Sequence, residues 1–297
     1  MIINLERFYG YEDIFRTLIR LHKLYPKLIQ LKSAGISHDN REIPFVVLGK
    51  GETGPLFLAG VHGRECVNPI VVTAFIEHYA MMYYSVGEKL LEQYCFYFMP
   101  LVNPDGYEIA TRGYYAIHDS KLRAQVKKQN IESRMYKGNA RGIDINRNFE
   151  AVSFVKTEIS GTVNSENETK AVINICRQYP ILGMIDFHSR GKTIYYHREA
   201  MSDAYNHKQF EIACRLAKIS KYALNVAQSE NPDSVSGGNT VHYFSEQFLK
   251  PALTMESVEE EADFPLEVRR QKEVYQELKY IPIEFLKLLV KQVTIHS

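Results

Sequence analysis

The chain contains no tryptophan and only four cysteines in 297 residues. The cysteines stand at 66, 95, 176 and 214, and no pair has Cys-x-x-Cys spacing. So few thiols in so long a chain exclude a disulfide scaffold and predict free thiols in a reducing compartment. An excess of one charge is also missing. Lys plus Arg is 36 and Asp plus Glu is 35, a net charge of +1, which excludes neither fold nor chemistry but gives no reason to expect nucleic acid or an anionic membrane as partner. No run approaches the roughly 18 apolar residues of a membrane span. There is no internal repeat, low-complexity tract or domain-scale linker. The opening residues meet a charge at Glu6 and lack a basic stretch followed by an apolar one, so an unprocessed cytoplasmic protein is expected.

What remains is an ordinary globular composition, 45% hydrophobic and 24% charged. A chain of this length buries roughly 75% of its unfolded surface, so its core needs no staples. Twenty Tyr and 15 Phe predict an aromatic-rich core or cleft and identify no cofactor. Apolar spacing at Ile14, Leu18, Leu21 and Leu24 predicts a helix over 10–26, stopped at Pro26. Apolar, β-rich runs predict strands at 43–48, 56–61, 94–102, 181–187, 194–196 and 252–255. Helices are expected over 68–84, 165–179, 209–224 and 267–293. Pro69 suits the first turn of one of them, and Ser165 and Glu168 are spaced as a capping box for another. Asn103-Pro104-Asp105-Gly106 reads as a turn. Residues 111–142, polar and rich in Lys and Arg, read as a long excursion packed over the domain. The alternation predicts one α/β domain over 1–297, with a mixed, mostly parallel central sheet and helices on both faces.

Four polar residues, His62, Asn103, His188 and Glu256, fall just past expected strand ends. Ligands of open α/β sheets bind there. His62, Gly63, Arg64 and Glu65 form a His-x-x-Glu unit directly after Leu56–Val61. An imidazole and a carboxylate so placed are two thirds of the His₂Glu set of catalytic zinc peptidases, whose fourth position is left to water. His188, after a buried strand, is the candidate third ligand. Each of these taken alone is more often a plain strand-end residue. Cys66 reads as a small buried residue, since a fourth protein ligand would displace the water. His118 and His242 read as structural or surface groups.

Between the ligand segments lies Gly142-Ile143-Asp144-Ile145-Asn146-Arg147-Asn148-Phe149. With Asn103-Pro104-Asp105-Gly106-Tyr107-Glu108 before it and Thr254-Met255-Glu256 after the last ligand, five segments stand in a fixed order. Over nearly its whole length the chain resembles the zinc carboxypeptidase family. Tyr25-Pro26, Gly35-Ile36-Ser37 and Arg41-Glu42-Ile43 echo the family's opening pattern. The resemblance implies that His62, Glu65 and His188 hold one Zn²⁺ ion and that Asp144 hydrogen-bonds the first zinc histidine. It implies that Asn146 and Arg147 grip a substrate carboxylate, where a planar guanidinium bonds bidentately. Glu256 matches the general base that moves a proton from water to the leaving amine. The metal lowers the pKa of water towards 7 and polarises a carbonyl.

The departures from the digestive enzymes are informative. Lys137 falls where those enzymes place an Arg near the scissile carbonyl, and it reads either as an oxyanion-stabilising charge or as a solvated lysine. Counted from Ser236-Gly237-Gly238, the position of their substrate-capping Tyr is Asp233. Their specificity position falls near Thr240, which argues against a pocket for large apolar or basic residues. The segment 136–149 and His188-Ser189-Arg190-Gly191 look most like the bacterial γ-D-glutamyl-L-diamino acid peptidases, which cut the cell-wall stem peptide between γ-D-Glu and diaminopimelate or Lys. Arg190 reads as an extra cation for a substrate with several carboxylates, or as a surface arginine. The expected partner is a small peptide, a muropeptide by this resemblance, with no nucleic acid and no membrane. A metallocarboxypeptidase acting on ordinary L-peptides is the alternative, and a catalytically inactive binding protein a third reading.

Overall fold

The protein is described by a computed structural model covering residues 1–86, 89–225 and 237–295. In chain order its elements are α1 (Tyr11–Leu24), β1 (Ile29–Ile36), β2 (Glu42–Gly49), β3 (Gly54–Ala59), α2 (Val67–Val86), α3 (Leu90–Gln93), β4 (Cys95–Met99), α4 (Pro104–Arg112) and α5 (Ser120–Lys127). They continue with α6 (Asn167–Gln178), β5 (Ile181–Ser189), β6 (Thr193–Tyr195), α7 (Asp203–Ser220), β7 (Ala223–Leu224), α8 (Thr240–Phe248), β8 (Ala252–Ser257), α9 (Arg270–Leu278) and α10 (Ile281–Ile295). The strands form one sheet in the order β1-β2-β4-β3-β5-β8-β6-β7. The four central strands run parallel to one another, while β1, β2 and β6 join the sheet antiparallel. The expected mixed α/β sheet is therefore present, with its parallel part at the centre.

Side-chain alternation assigns the two faces. Phe57, Phe96, Phe98, Ile185, Phe187, Leu253 and Met255 point into a core shared with α1, α2, α7, α9 and α10. Leu56, Leu58, Tyr97, Met99, Met184 and Ala252 point the other way, under α6 and α8. The polar residues Asp186, His188, Thr254 and Glu256 continue this second face towards the strand ends. Helix α2 is apolar nearly all round and buried over Val67–Glu77, as befits a helix wedged between the sheet and α9.

Several expectations shift. Asn103-Pro104-Asp105-Gly106 is a helix start, not a turn: the Asn103 side chain accepts from Gly106 N at 2.8 Å and Pro104 occupies the first turn of α4. The capping box at Ser165 does not form. Helix α6 begins at Asn167, because Ser165 instead donates to Glu166 and Glu168 is buried against Asn139. β5 and β8 run on to Ser189 and Ser257, so His188 and Glu256 lie inside the ladder, not beyond it. The helix expected over 267–293 is two, broken at Lys279 and Tyr280. Strands β1 and β7, at the two sheet edges, were not expected.

The polar excursion packs on the domain, as expected, with a small core of its own made by Ile109, Ile117, Val126, Tyr136 and Ala140. Buried Arg41 anchors it: its guanidinium lies 2.7 Å from both Asp39 and Asp105, and Asp39 accepts from the backbone of His118 and Asp119. All four thiols are free, Cys95 and Cys176 buried, Cys66 and Cys214 half-buried. Among the described residues no helix is long and apolar enough to cross a membrane.

Candidate metal centre and substrate cleft

After β3 the chain turns at Gly60, in a left-handed conformation (φ +66°), and delivers the His-x-x-Glu unit to the end of the sheet. Gly63 is required within it: a Cβ there would stand 2.2 Å from the carbonyl of Gly106. Gly63 N donates to Lys137 O at 3.1 Å, and Asn103 Nδ2 donates to the carbonyls of Val61 and Gly138. One asparagine thus stitches the ligand unit to the loop that carries Lys137.

His62, Glu65 and His188 converge, with ligating atoms all within 4.8 Å of one another. His62 Nδ1 lies 2.7 Å from Glu65 Oε1, His188 Nδ1 lies 3.0 Å from Glu65 Oε2, and the two Nδ1 atoms are 3.2 Å apart. Behind each ring stands a buried carboxylate. Asp144 Oδ1 is 3.1 Å from His62 Nε2, and Asp186 Oδ2 is 3.0 Å from His188 Nε2. Carboxylates at both Nε2 atoms favour the tautomer that keeps its proton there. Both Nδ1 lone pairs and the Glu65 carboxylate then face one point with no proton among them. A dication satisfies that arrangement, and two imidazoles with one carboxylate are zinc's donor set. Protons and a dication compete for this point: burial disfavours the charged forms of both histidines, but the carboxylates of Glu65 and Asp144 outweigh it and raise His62, and Asp186 and Glu65 raise His188 well above its usual range, so an ion would bind by displacing protons from the rings. Burial likewise pushes Glu65 and Asp144 up, and the imidazoles pull both well below the carboxylate range.

Asp186 was not singled out in the sequence, although Asp-x-His on a strand places both side chains on one face. Equally unforeseen is a closed ring of hydrogen bonds beneath the site. Asn68 donates to Ser189 at 3.0 Å, Ser189 and Ser257 meet at 2.9 Å, and Ser257 donates back to Asn68 at 2.8 Å. The ring ties the start of α2 to β5 and β8.

Glu256 stands directly opposite His188 in the parallel register of β5 and β8. Its Oε2 is buried without a hydrogen-bond partner, and burial pushes the carboxyl up to about 7. A carboxyl poised there suits proton transfer near neutral pH.

His62, Glu65, Ser189 and Glu256 line a cavity of about 440 Å³. Its wall includes Asn146 and Arg147, carried on the single turn Ile145–Arg147 that Asp144 caps, and also Lys137 and Arg190. Arg147 Nη1 donates to the carbonyl of Asn146 at 2.7 Å. Arg190 donates to Ala262 O, and its guanidinium stands 5.5 Å from the Phe264 ring centre. Thr240 is not on the wall. It is 1% exposed and its hydroxyl donates to Asp186, so this side chain supports the carboxylate behind His188; its neighbours Asn239 and Val241 line the cavity. Asp233 and Ser236 lie outside the described residues. Two further cations on the wall carried no sequence signal, Arg64 and Arg198. Arg64 is the third residue of the ligand unit, and its guanidinium stacks 4.3 Å from the Phe264 ring centre. His118 is a surface group, its side chain 80% exposed, and buried His242 meets Ser153 at 3.0 Å.

The zinc carboxypeptidase family profile matches residues 14–281. Carboxypeptidase A6 of Mus musculus is 28% identical over 210 residues, 65% of this chain and 45% of its own. Gamma-D-glutamyl-L-diamino acid endopeptidase 1 of Lysinibacillus sphaericus is 22% identical over 281 residues, 86% of this chain and 67% of its own. The thrombin-activatable fibrinolysis inhibitor, a solved structure, superposes with a TM-score of 0.80 at 19% identity, over 97% of this chain and 75% of that one, and so shares the fold. The chain spans about half the length of the first curated relatives it matches.

Proposed function

The chain belongs to the zinc carboxypeptidase family, and on that premise we propose that it is a zinc-dependent peptidase that cuts the γ-D-glutamyl–diamino acid bond of murein peptides. The observation that carries the substrate is the charge of the cleft: Arg64, Lys137, Arg147, Arg190 and Arg198 all line it, against Glu256 and Glu260 besides the ligand Glu65. An ordinary L-peptide presents one terminal carboxylate and one developing oxyanion, which two cations satisfy. A γ-linked D-glutamyl residue adds a free α-carboxylate beside the scissile bond, and diaminopimelate adds another on its side chain. Such a substrate matches the surplus charge. The alternative, removal of C-terminal residues from L-peptides, is favoured by the similarity to carboxypeptidase A6 and uses the same Asn146 and Arg147.

His62, Glu65 and His188 would hold the zinc ion, which when bound supplies Lewis acidity and lowers the pKa of water. Asp144 and Asp186 orient the two rings. Arg147 and Asn146 hold the carboxylate of the leaving residue and fix the scissile bond against Glu256. Glu256 takes a proton from the attacking water at its carboxylate and returns it to the leaving nitrogen. Lys137, on the cavity wall, would supply the charge that stabilises the oxyanion. Arg64 and Arg190, flanking Phe264, would meet the free carboxylate on the acyl side.

The test is turnover by the zinc-loaded protein of L-Ala-γ-D-Glu-diaminopimelate beside blocked L-dipeptides. Cleavage of the γ-linked bond is expected. Cleavage of the L-dipeptides alone would overturn this reading in favour of the alternative.

A further inference from the structure

One cation of the cleft has no part in the reaction described above. Arg198 follows β6, which lies antiparallel to β8 with Tyr195 opposite Thr254. It is only 2% exposed, yet it lines the same cavity as Arg147 and Glu256. Its guanidinium donates to the carbonyl of His197 at 2.5 Å and to that of Ala252 at 3.2 Å. Its backbone is held from both sides by Asn206, which accepts from Arg198 N and donates to Arg198 O, each at 2.9 Å. The position of the charge is therefore fixed by strand, helix and loop together.

Ala252, Thr254 and Glu256 share one face of β8. At about 3.3 Å per residue, Ala252 lies roughly 13 Å along the strand from Glu256. Arg198, bonded to Ala252, thus belongs to the end of the cavity away from the general base. A leaving residue whose α-carboxylate is gripped by Asn146 and Arg147 has only its side chain left to occupy that end. A guanidinium is a planar fork of donors that matches a carboxylate, and one already oriented by backbone carbonyls loses little freedom on binding it.

We propose that Arg198 reads the side chain of the residue on the leaving side of the scissile bond and selects one that ends in a carboxylate. Under the muropeptide reading, on which this naming rests, that residue is diaminopimelate and not lysine. The preference for an acidic side chain stands without that reading. A lysine ammonium at the same place meets a like charge in a buried setting. An apolar side chain leaves the guanidinium facing no carboxylate of the substrate.

Two substrate pairs test this on the zinc-loaded protein: γ-D-glutamyl-diaminopimelate against γ-D-glutamyl-lysine, and blocked L-dipeptides ending in Glu against Leu. Wild type, Arg198→Met and Arg198→Lys are compared, with thermal unfolding of each. Calorimetric binding of free diaminopimelate and free lysine to wild type is a second readout. Wild type is expected to favour the acid-ended member by at least about tenfold in kcat/KM. Arg198→Met brings that ratio to about one, chiefly by losing the acid-ended substrate, and Arg198→Lys keeps part of it. Free diaminopimelate binds and lysine does not. Equal kcat/KM within both pairs in wild type overturns the proposal. So does an Arg198→Met protein that loses acid- and neutral-ended substrates in equal proportion, which is the mark of a structural arginine. If Arg198→Met does not fold, the wild-type ratios and the binding of the two free amino acids decide. An acid preference in the L-dipeptide pair with no cleavage of the γ-linked pair supports Arg198 and defeats the muropeptide reading. Equal cleavage of both γ-linked substrates, with no acid preference among L-dipeptides, does the reverse.

Discussion

Among the described residues two groups are of a histidine-and-carboxylate type, and of these only one is built as a metal centre. His62, Glu65 and His188 form the first; His38, Glu166 and Glu168 form the second, also with ligating atoms within 4.8 Å. The difference is what stands among the ligating atoms. Both groups have a histidine nitrogen about 3 Å from a carboxylate, but in the second group the Asn139 amide also donates to Glu166 at 2.7 Å and to Glu168 at 3.0 Å. Protons already join these acceptors. In the first group two imidazole nitrogens face each other, their outer nitrogens are engaged by Asp144 and Asp186, and the space opens on the cleft. Residue types alone do not make a metal site; the placement of protons does.

The second group has a different task. Asn139 accepts from the backbone of Arg141 and Ile143, so the buried knot shapes the loop that leads to Asp144, Asn146 and Arg147. On the function proposed above, one group would hold the ion, and the other shapes the loop that carries Asn146 and Arg147.

That contrast can be broken most strongly at the base. Glu256→Gln should lower kcat by about a thousandfold or more with zinc content unchanged, as read by steady-state kinetics beside metal analysis. His188→Ala should lose zinc on dialysis against a chelator, while His38→Ala keeps one ion per chain; loss from both would erase the distinction drawn above. Asp186→Asn should weaken zinc affinity about 10- to 100-fold by releasing the ring of His188, measurable by competition with a chromogenic chelator. Asn139→Ala should retain zinc but lose about 2 kcal/mol in urea unfolding, because two buried carboxylates lose their shared donor.

The smallest effect is one of pH. Burial pushes the Glu168 carboxyl from 4.5 up to about 7. Between those values the folded protein holds a proton that the unfolded chain has released. The contribution of this group is thus complete below pH 4.5 and is lost as pH rises through about 7. Glu166 acts with the opposite sign: burial raises it, but hydrogen bonds from His38, Ser165 and Asn139 outweigh this and hold it at about 2, so its contribution is present above 4.5 and fades as pH falls towards 2. Glu168→Gln should flatten the urea midpoint between pH 5 and 8. An unchanged slope would mean that Glu168 titrates normally and that the knot is less closed than its geometry implies.

The centre was legible in the sequence because its ligands sit in short motifs tied to strands. His-x-x-Glu follows one strand, and His188 and Glu256 fall at the ends of two others. Asp144, Asn146 and Arg147 lie within one tight turn, so local spacing carries their relation. Arg198 and Arg64 escaped notice because nothing local distinguishes them. Arg198 reaches the cleft only through pairing of β6 with β8 and its anchor to Asn206. Thr240 was placed by counting from a glycine pair, but counting gives position along the chain and not the direction of a side chain; its hydroxyl turned to Asp186. Ser165 carried a valid local capping signal that lost to a tertiary demand, the burial of Glu166 and Glu168 against Asn139. The edge strands were missed because Gln30, Lys32 and Ser33 leave β1 partly exposed and weakly patterned.

The pairing of His188 with Glu256 across β5 and β8 also acts as a proofreading device. A slip of one residue between these strands would separate ligand from base and turn one set of side chains into the opposite face. Ion capture and proton transfer would fail together. On the function proposed above, a mispaired chain would be inactive and not merely slow.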